Sequence, residues 1–310
     1  VTEPTSTNTT SSGSGGLSGQ AQSDPKRLDA VADLRRAIAT IEATTADLPR
    51  DRVKQARVVR RQPPRRQPSL RPPPVKQNAD GTWPPIVYDG MPEGDGWMDH
   101  LPARYHHGQR GFDRRIMEEL AAVGAPCYTL NQLSDHVRYV PQGIPIFIDW
   151  LTHLEERIPG PETDHRQAVR IGLIRGLDAI AIRGNRQAFD ALVAELRRGA
   201  TLPGPSADYA HFALARIATV KDFPTIAALL EQLPPEAPRG ALIEYMGRVK
   251  TLEAQQVVLK WLDTEWTWFA IRALIAMKAS GVRDRIAPYV DDANSNVRKY
   301  AKRALERLPD

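Results

Sequence analysis

The chain has 310 residues, 42 Lys+Arg against 37 Asp+Glu, 26 Pro, 21 Gly and one Cys, and 41% of it is hydrophobic. That length accommodates one or two domains with a real core, while the single Cys127 excludes an intramolecular disulfide framework and any multi-cysteine zinc or iron–sulfur site. The net charge of +5 is unevenly placed: residues 50–76 hold ten basic residues against one acid, Asp51, a local +9 that leaves the remainder slightly acidic.

Residues 1–23 are rich in Ser, Thr and Gly with Leu17 their one large apolar residue besides Val1, a composition that buries too little apolar surface to offset its ordering entropy, so a disordered tail is expected. The opening VTEPTSTNTTSSGSGG lacks the basic-then-apolar order of a signal peptide, and no apolar run approaches the roughly 18 residues that span a bilayer. These features predict a soluble, cytoplasmic protein without a transmembrane segment. Over 24–48 the pattern changes. Asp24 suits an N-cap and Pro25 a first helical position, and Val31, Leu34, Ile38, Ile41 and Leu48 recur at helical spacing. This predicts a short amphipathic helix, marginal in isolation at two heptads.

A basic proline-rich linker follows over 49–80. Its prolines at 63, 64, 68, 72, 73 and 74 forbid continuous helix and favour extended backbone. Arg50, Arg52, Lys54, Arg57, Arg60, Arg61, Arg65, Arg66, Arg71 and Lys76 could grip phosphates in a salt-dependent, sequence-independent way, although no aromatic residues are interleaved for base stacking. An anionic membrane surface, an acidic protein, a proline-recognition domain (although PxxP spacing is absent) or a plain solvated linker are the alternatives for this segment. The strip 81–111 carries Trp83, Tyr88, Trp97 and Tyr105 among many Gly and Pro. It reads as an irregular segment laid along the following domain with its aromatics as anchors.

From 112 to 310 the pattern is helical throughout, with almost no period-two alternation. Phe112, Ile116, Leu120 and Val123 share one stripe, with Gly124 as a stop. The strongest signal is self-similarity. Anchors at Leu177, Ile217, Met246, Leu274 and Leu305 recur at spacings of 40, 29, 28 and 31, each preceded four residues earlier by Leu173, Ala213, Leu242, Ala270 or Ala301. An apolar segment precedes each anchor helix: 145–151, 188–196, 225–233, 254–262 and 283–290. Five helix pairs of about 30 residues result, and such pairs cannot bury their apolar faces without stacking on neighbours. The fold class predicted is all-α, an α-solenoid behind a disordered N-terminal extension.

The last pair, RDRIAPYVDDANSNVRKYAKRALERL, has Asp291 and Asp292 in its turn, then Val297–Arg298, Ala301, Ala304 and Leu305. This resembles the HEAT-repeat pattern of the HEAT-like and armadillo-type solenoids. Val169–Arg170 repeats the Val-Arg pair and Arg239 keeps its Arg, whereas Trp266–Thr267 and Tyr209–Ala210 depart from it. The span from Phe112 to Leu305, with YTLNQL at 128–133 and Ile144, Pro145, Trp150 and Leu151, is similar to bacterial HEAT-repeat proteins of undefined function. The resemblance implies a small helical solenoid. It implies no reaction and no cofactor.

Chemistry-bearing groups are sparse. Asp99, His100, His106 and His107 lie in one loop, but adjacent histidines diverge and no HxxxH or HExxH spacing occurs, so no metal site is assigned. Cys127 and His136 could form a nucleophile and base, yet no orienting group or oxyanion loop accompanies them, and a lone Cys is commonly a small buried apolar residue. Nucleotide, hydrolase and calcium-loop motifs are absent from the sequence. The cluster Trp261, Asp263, Glu265, Trp266 and Trp268 looks faintly like the Asp-and-Trp site of HEAT-like DNA glycosylases. Its competing reading gives the tryptophans to the core and the acids to helix caps. The preferred expectation is a noncatalytic scaffold, with no metal and no cofactor. Its partner, a protein first and nucleic acid through the linker second, would meet polar positions on the second helices: Arg170, Arg175, His211, Arg216, Glu244, Arg248, Arg272 and Lys302.

Overall fold

The computed structural model describes residues 77–199 and 205–309. The predicted tail over 1–23, the amphipathic helix over 24–48 and the basic run 50–76 lie outside them.

The described residues are helical, with no strand among them. Asp113 caps the first helix, α1 (Arg114–Ala122), accepting from the Arg115 N–H at 3.1 Å. Ile116 and Leu120 are buried as their spacing predicts, but Val123 falls beyond the last turn and is exposed, because the chain leaves the helix there and Gly124 turns left-handed at φ +79°. Thr129 caps α2 (Leu130–His136). Helix α3 (Ile144–Thr152) carries Pro145 in its first turn, where the missing N–H costs nothing, and buries Phe147, Trp150 and Leu151. A single turn, α4 (Leu154–Arg157), follows.

The remaining helices are α5 (Asp164–Gly176), α6 (Arg186–Gly199), α7 (Ser206–Ile217), α8 (Phe223–Gln232), α9 (Gly240–Val249), α10 (Leu252–Leu259), α11 (Thr267–Met277), α12 (Arg283–Ile286) and α13 (Ser295–Arg307). They pack as pairs: α3 on α5, α6 on α7, α8 on α9, α10 on α11 and α12 on α13. The second members also pack in sequence, α5 on α7, α7 on α9, α9 on α11 and α11 on α13. Small side chains make this approach close. Ala270, Ala273, Ala301 and Ala304 are fully or almost fully buried. At Gly247 of α9 a β-carbon would stand 2.8 Å from the Ala276 methyl and 3.0 Å from the Ala273 carbonyl oxygen of α11. Gly172 of α5 likewise lies so close to Leu130 of α2 that no side chain fits between them.

Two members of the sequence's arginine column, Arg239 and Arg298, share a structural task. Arg239 donates to the Leu233, Pro234 and Pro235 carbonyls at 2.7, 2.7 and 2.8 Å, and Arg298 to the Asp292 and Ala293 carbonyls at 2.6 and 2.8 Å. Each ties down the turn that leads into its own helix, satisfying carbonyls left over from the preceding segment.

The strip before α1 lies against the helices. Tyr88 stacks on His136 at 5.3 Å and its hydroxyl donates to the Pro126 carbonyl at 3.0 Å. Trp97 meets Tyr128 edge-on at 5.3 Å, and Tyr105 stacks on the same ring at 5.0 Å. Residues 103–111 form a 3-10 segment against α5, where the Gly108 carbonyl accepts from His165 Nδ1 at 2.8 Å.

Candidate interaction surface

Helices α5, α7, α9 and α11 each send an arginine back toward the element that precedes them. Arg175 of α5 reaches Asn131 Oδ1 at 3.1 Å and Asp135 Oδ1 at 2.5 Å on α2. Arg216 of α7 contacts Asp178, just past the end of α5, at 2.5 Å. Arg248 of α9 donates to the Ala215 carbonyl of α7, and Arg272 of α11 pairs with Glu244 of α9 at 2.6 Å. Four cations thus run along one row of helices. The three last-turn arginines, Arg175, Arg216 and Arg248, also complement the negative helix ends. Burial pushes the Asp178 and Glu244 carboxyls up from their usual range, with Arg216 and Arg272 pulling the other way.

Beyond Arg272 the row continues into an aromatic patch. The Arg272 guanidinium lies 5.4 Å from the Trp268 ring and 5.5 Å from Tyr300, whose ring is also approached by Lys299 and Arg303 of α13. Lys302 is exposed on the same helix.

Two of the expected partner-binding residues are corrected by their surroundings. Arg170 has no exposed surface. It makes five hydrogen bonds to carboxylates: to Glu162 at 3.0 and 2.9 Å, to Glu195 at 3.1 and 3.0 Å, and to Glu155 at 2.9 Å. A guanidinium so committed joins α4, α5 and α6 and offers a partner nothing. His211 is also buried, its Nδ1 donating to the Ala207 carbonyl at 3.2 Å, and burial holds its pKa below the usual histidine value.

The tryptophans of the cluster pack on the core as one expectation had it, but its acids do not cap the helix. Asp263 accepts from the Tyr289 hydroxyl and from Arg285 at 3.3 Å. The turn into α11 is held not by the acids but by threonines: Thr264 Oγ1 accepts from the Trp266 N–H at 3.1 Å and Thr267 donates to the Leu262 carbonyl. Trp261, Trp266 and Trp268 pack half-buried against the core. Cys127 is fully buried with its thiol directed at Met117 Sδ, 3.4 Å away, and burial raises its pKa well above the usual thiol value. His136 bonds instead to the Gln132 carbonyl, so Cys127 and His136 are each engaged elsewhere. Among the described residues no group of three or more His, Cys, Asp or Glu could hold a metal ion, and no helix is long and apolar enough to cross a membrane.

What the pattern of residues did not reveal is a groove of about 530 Å³ where α2, α5 and α7 meet. Arg175 and Arg216 line it, together with Arg138, Tyr139, Ile180 and Tyr209. Ile180 and Tyr209 are large apolar residues left 58% and 42% exposed. The available signal was Ile180 itself, an isoleucine in the short link DAIAIRGN rather than on a helical stripe. A second cleft of about 590 Å³ lies between α3 and α6, lined by Ile148, Asp149, His153, Asp190, Ala194 and Arg198 among others.

Comparison with protein-family models, with curated proteins and with solved structures found no match.

Proposed function

We propose that residues 112–310 form a HEAT-like α-solenoid that acts in the cytoplasm as a noncatalytic protein-binding scaffold, with the basic segment 50–76 as a second, tethered binding element. The observation that carries this reading is the arginine row along α5, α7, α9 and α11. Sequentially packed second helices place repeated side chains at repeated positions, and a row of such positions is what an extended partner follows. The resemblance at Val297–Arg298 and Ala301 to Leu305 supports the same architecture.

A second reading, nucleic-acid binding through Arg50–Lys76, gains support from the α11–α13 end of the row. There Trp268 and Tyr300 lie among Arg272, Lys299 and Arg303, an alternation of stacking surface and cation that single strands use. Nothing comparable favours base excision, since Asp263 is taken up by Arg285 and Tyr289.

Affinity capture with the full-length chain tests the scaffold. A specific protein is expected to co-purify after nuclease treatment and to be lost from the triple variant Arg216→Glu, Arg272→Glu, Lys302→Glu, while neutralising 50–76 weakens capture without abolishing it. Recovery that depends on nucleic acid throughout would support the second reading instead.

A further inference from the structure

The groove between α2, α5 and α7 has a chemistry of its own, and the partner class it selects rests on the scaffold reading of the solenoid. Three guanidinium groups line it, Arg138, Arg175 and Arg216, and a fourth, Arg183, is fixed beside it by donating to the Arg216 carbonyl at 3.2 Å. Facing them are two carboxylates, Asp135 on Arg175 and Asp178 on Arg216. Arg138 is exposed and has no ion-pair partner among the described residues. Ile180 and Tyr209 line the groove as well, partly open to solvent.

The geometry points to an acidic, extended protein segment as the occupant, its carboxylates on Arg138 and Arg216 and one apolar or aromatic side chain on Ile180 and Tyr209. Asp178 shows the mode of engagement: a carboxylate oxygen already sits 2.5 Å from Arg216 Nε, where a partner's Asp or Glu would compete for the same guanidinium. An extended peptide suits a site that pairs charge with one apolar anchor, because the anchor supplies burial and the ion pairs fix register. A phosphate chain suits it less. The groove offers only Tyr139 and Tyr209 for stacking, so most bases of a strand would find no aromatic surface there.

The test uses the full-length protein and a fluorescein-labelled dodecapeptide of Glu and Asp with one central Phe, read by fluorescence anisotropy at low and physiological salt. Three companion probes separate the contributions: the same peptide with Gln and Asn for its acids, the same peptide with Ser for Phe, and a twelve-residue oligo-dT. The basic segment 50–76 contributes equally to wild type and variant, so the difference between them isolates the groove. Arg138→Glu with Arg216→Glu is expected to weaken the acidic peptide at least tenfold, Ile180→Ser to erase the advantage of Phe over Ser, and Asp178→Asn to tighten binding severalfold. A benzophenone in place of the Phe ring is expected to cross-link within 177–181 or at Tyr209. Should the double variant melt early, Arg138→Glu alone carries the test, since that residue lies outside the helices on an exposed link. Unchanged affinity in these variants, cross-linking confined to 50–76, or oligo-dT binding more tightly with the same arginine dependence would each overturn the inference. If a co-purifying protein is still lost on Arg272→Glu while the peptide ignores Arg138 and Arg216, this inference alone falls and the scaffold stands.

Discussion

Arg170 carries a full charge with no exposed surface, and its position is tolerable only because three carboxylates surround it. Removing Arg170 leaves its three carboxylates with Arg166 and Arg198 alone, so the loss stays below the roughly 3–5 kcal/mol of a buried pair broken outright. Arg170→Met is therefore expected to lower the urea midpoint, and Arg170→Met with Glu195→Leu to recover part of the loss by deleting the most deeply buried carboxylate, which would otherwise keep only Arg198 as its partner. A single-variant cost below about 1 kcal/mol would mean that the carboxylates reach water or protons without the arginine. His211 is the opposite case, a titratable ring held neutral. Burial depresses its pKa below 6.5, so the unfolded chain takes up a proton near that pH before the folded one does. Stability is thus intact above pH 6.5 and falls as the pH drops below it, by at most about 1.4 kcal/mol per pH unit. Urea unfolding of wild type and His211→Gln at pH 7.5, 6.5 and 5.5 isolates this share, because the carboxylates are common to both. A difference between the two proteins that does not change across that range would remove His211 from the pH response.

At the scale of elements, glycine at the α9–α11 crossing sets how near the two helices come. Gly247→Val forces a branched side chain against Ala276 and the Ala273 carbonyl, an overpacking worth about 1–3 kcal/mol. Gly96→Ala, which meets no atom within 4 Å, should stay within about 0.5 kcal/mol of wild type in the same denaturation series; equal effects would show that the close approach is slack. Helix positions of this kind were legible from the chain alone. The anchors Leu177, Ile217, Met246 and Leu274 and the alanines at 270, 273, 301 and 304 are buried because apolar spacing at 3.6 residues has one geometric solution. Partners across helices were not legible. Nothing in local spacing says that Arg170 finds Glu195, 25 positions on, or that Arg216 finds Asp178, so Arg170 reads as a surface residue until tertiary packing encloses it. The groove escaped for a related reason: Arg138, Ile180 and Tyr209 belong to three segments, and only their assembly makes a concavity.

For the whole molecule, the decisive question is whether the helix pairs behave as a linear stack. The second helices pack in sequence from α5 to α13, while the buried side chains still form one connected cluster from Tyr105 to Leu308. A linear stack and a single cooperative core answer a local lesion differently. In a stack, stability is a sum of unit and nearest-neighbour terms, so damage at one interface uncouples what lies beyond it. Native-state hydrogen exchange on Gly247→Val reads this directly. Under the solenoid reading, amides of α11 and α13 lose protection first and most, α9 follows in part, and α1 to α5 exchange as in wild type because no second helix before α9 touches the lesion. A uniform rise in exchange from α1 through α13 would mean global unfolding from one core. The five pairs would then be a sequence periodicity laid over a single cooperative unit, and a partner aligned with the arginine row would be reading a rigid surface that no single repeat could yield or reshape.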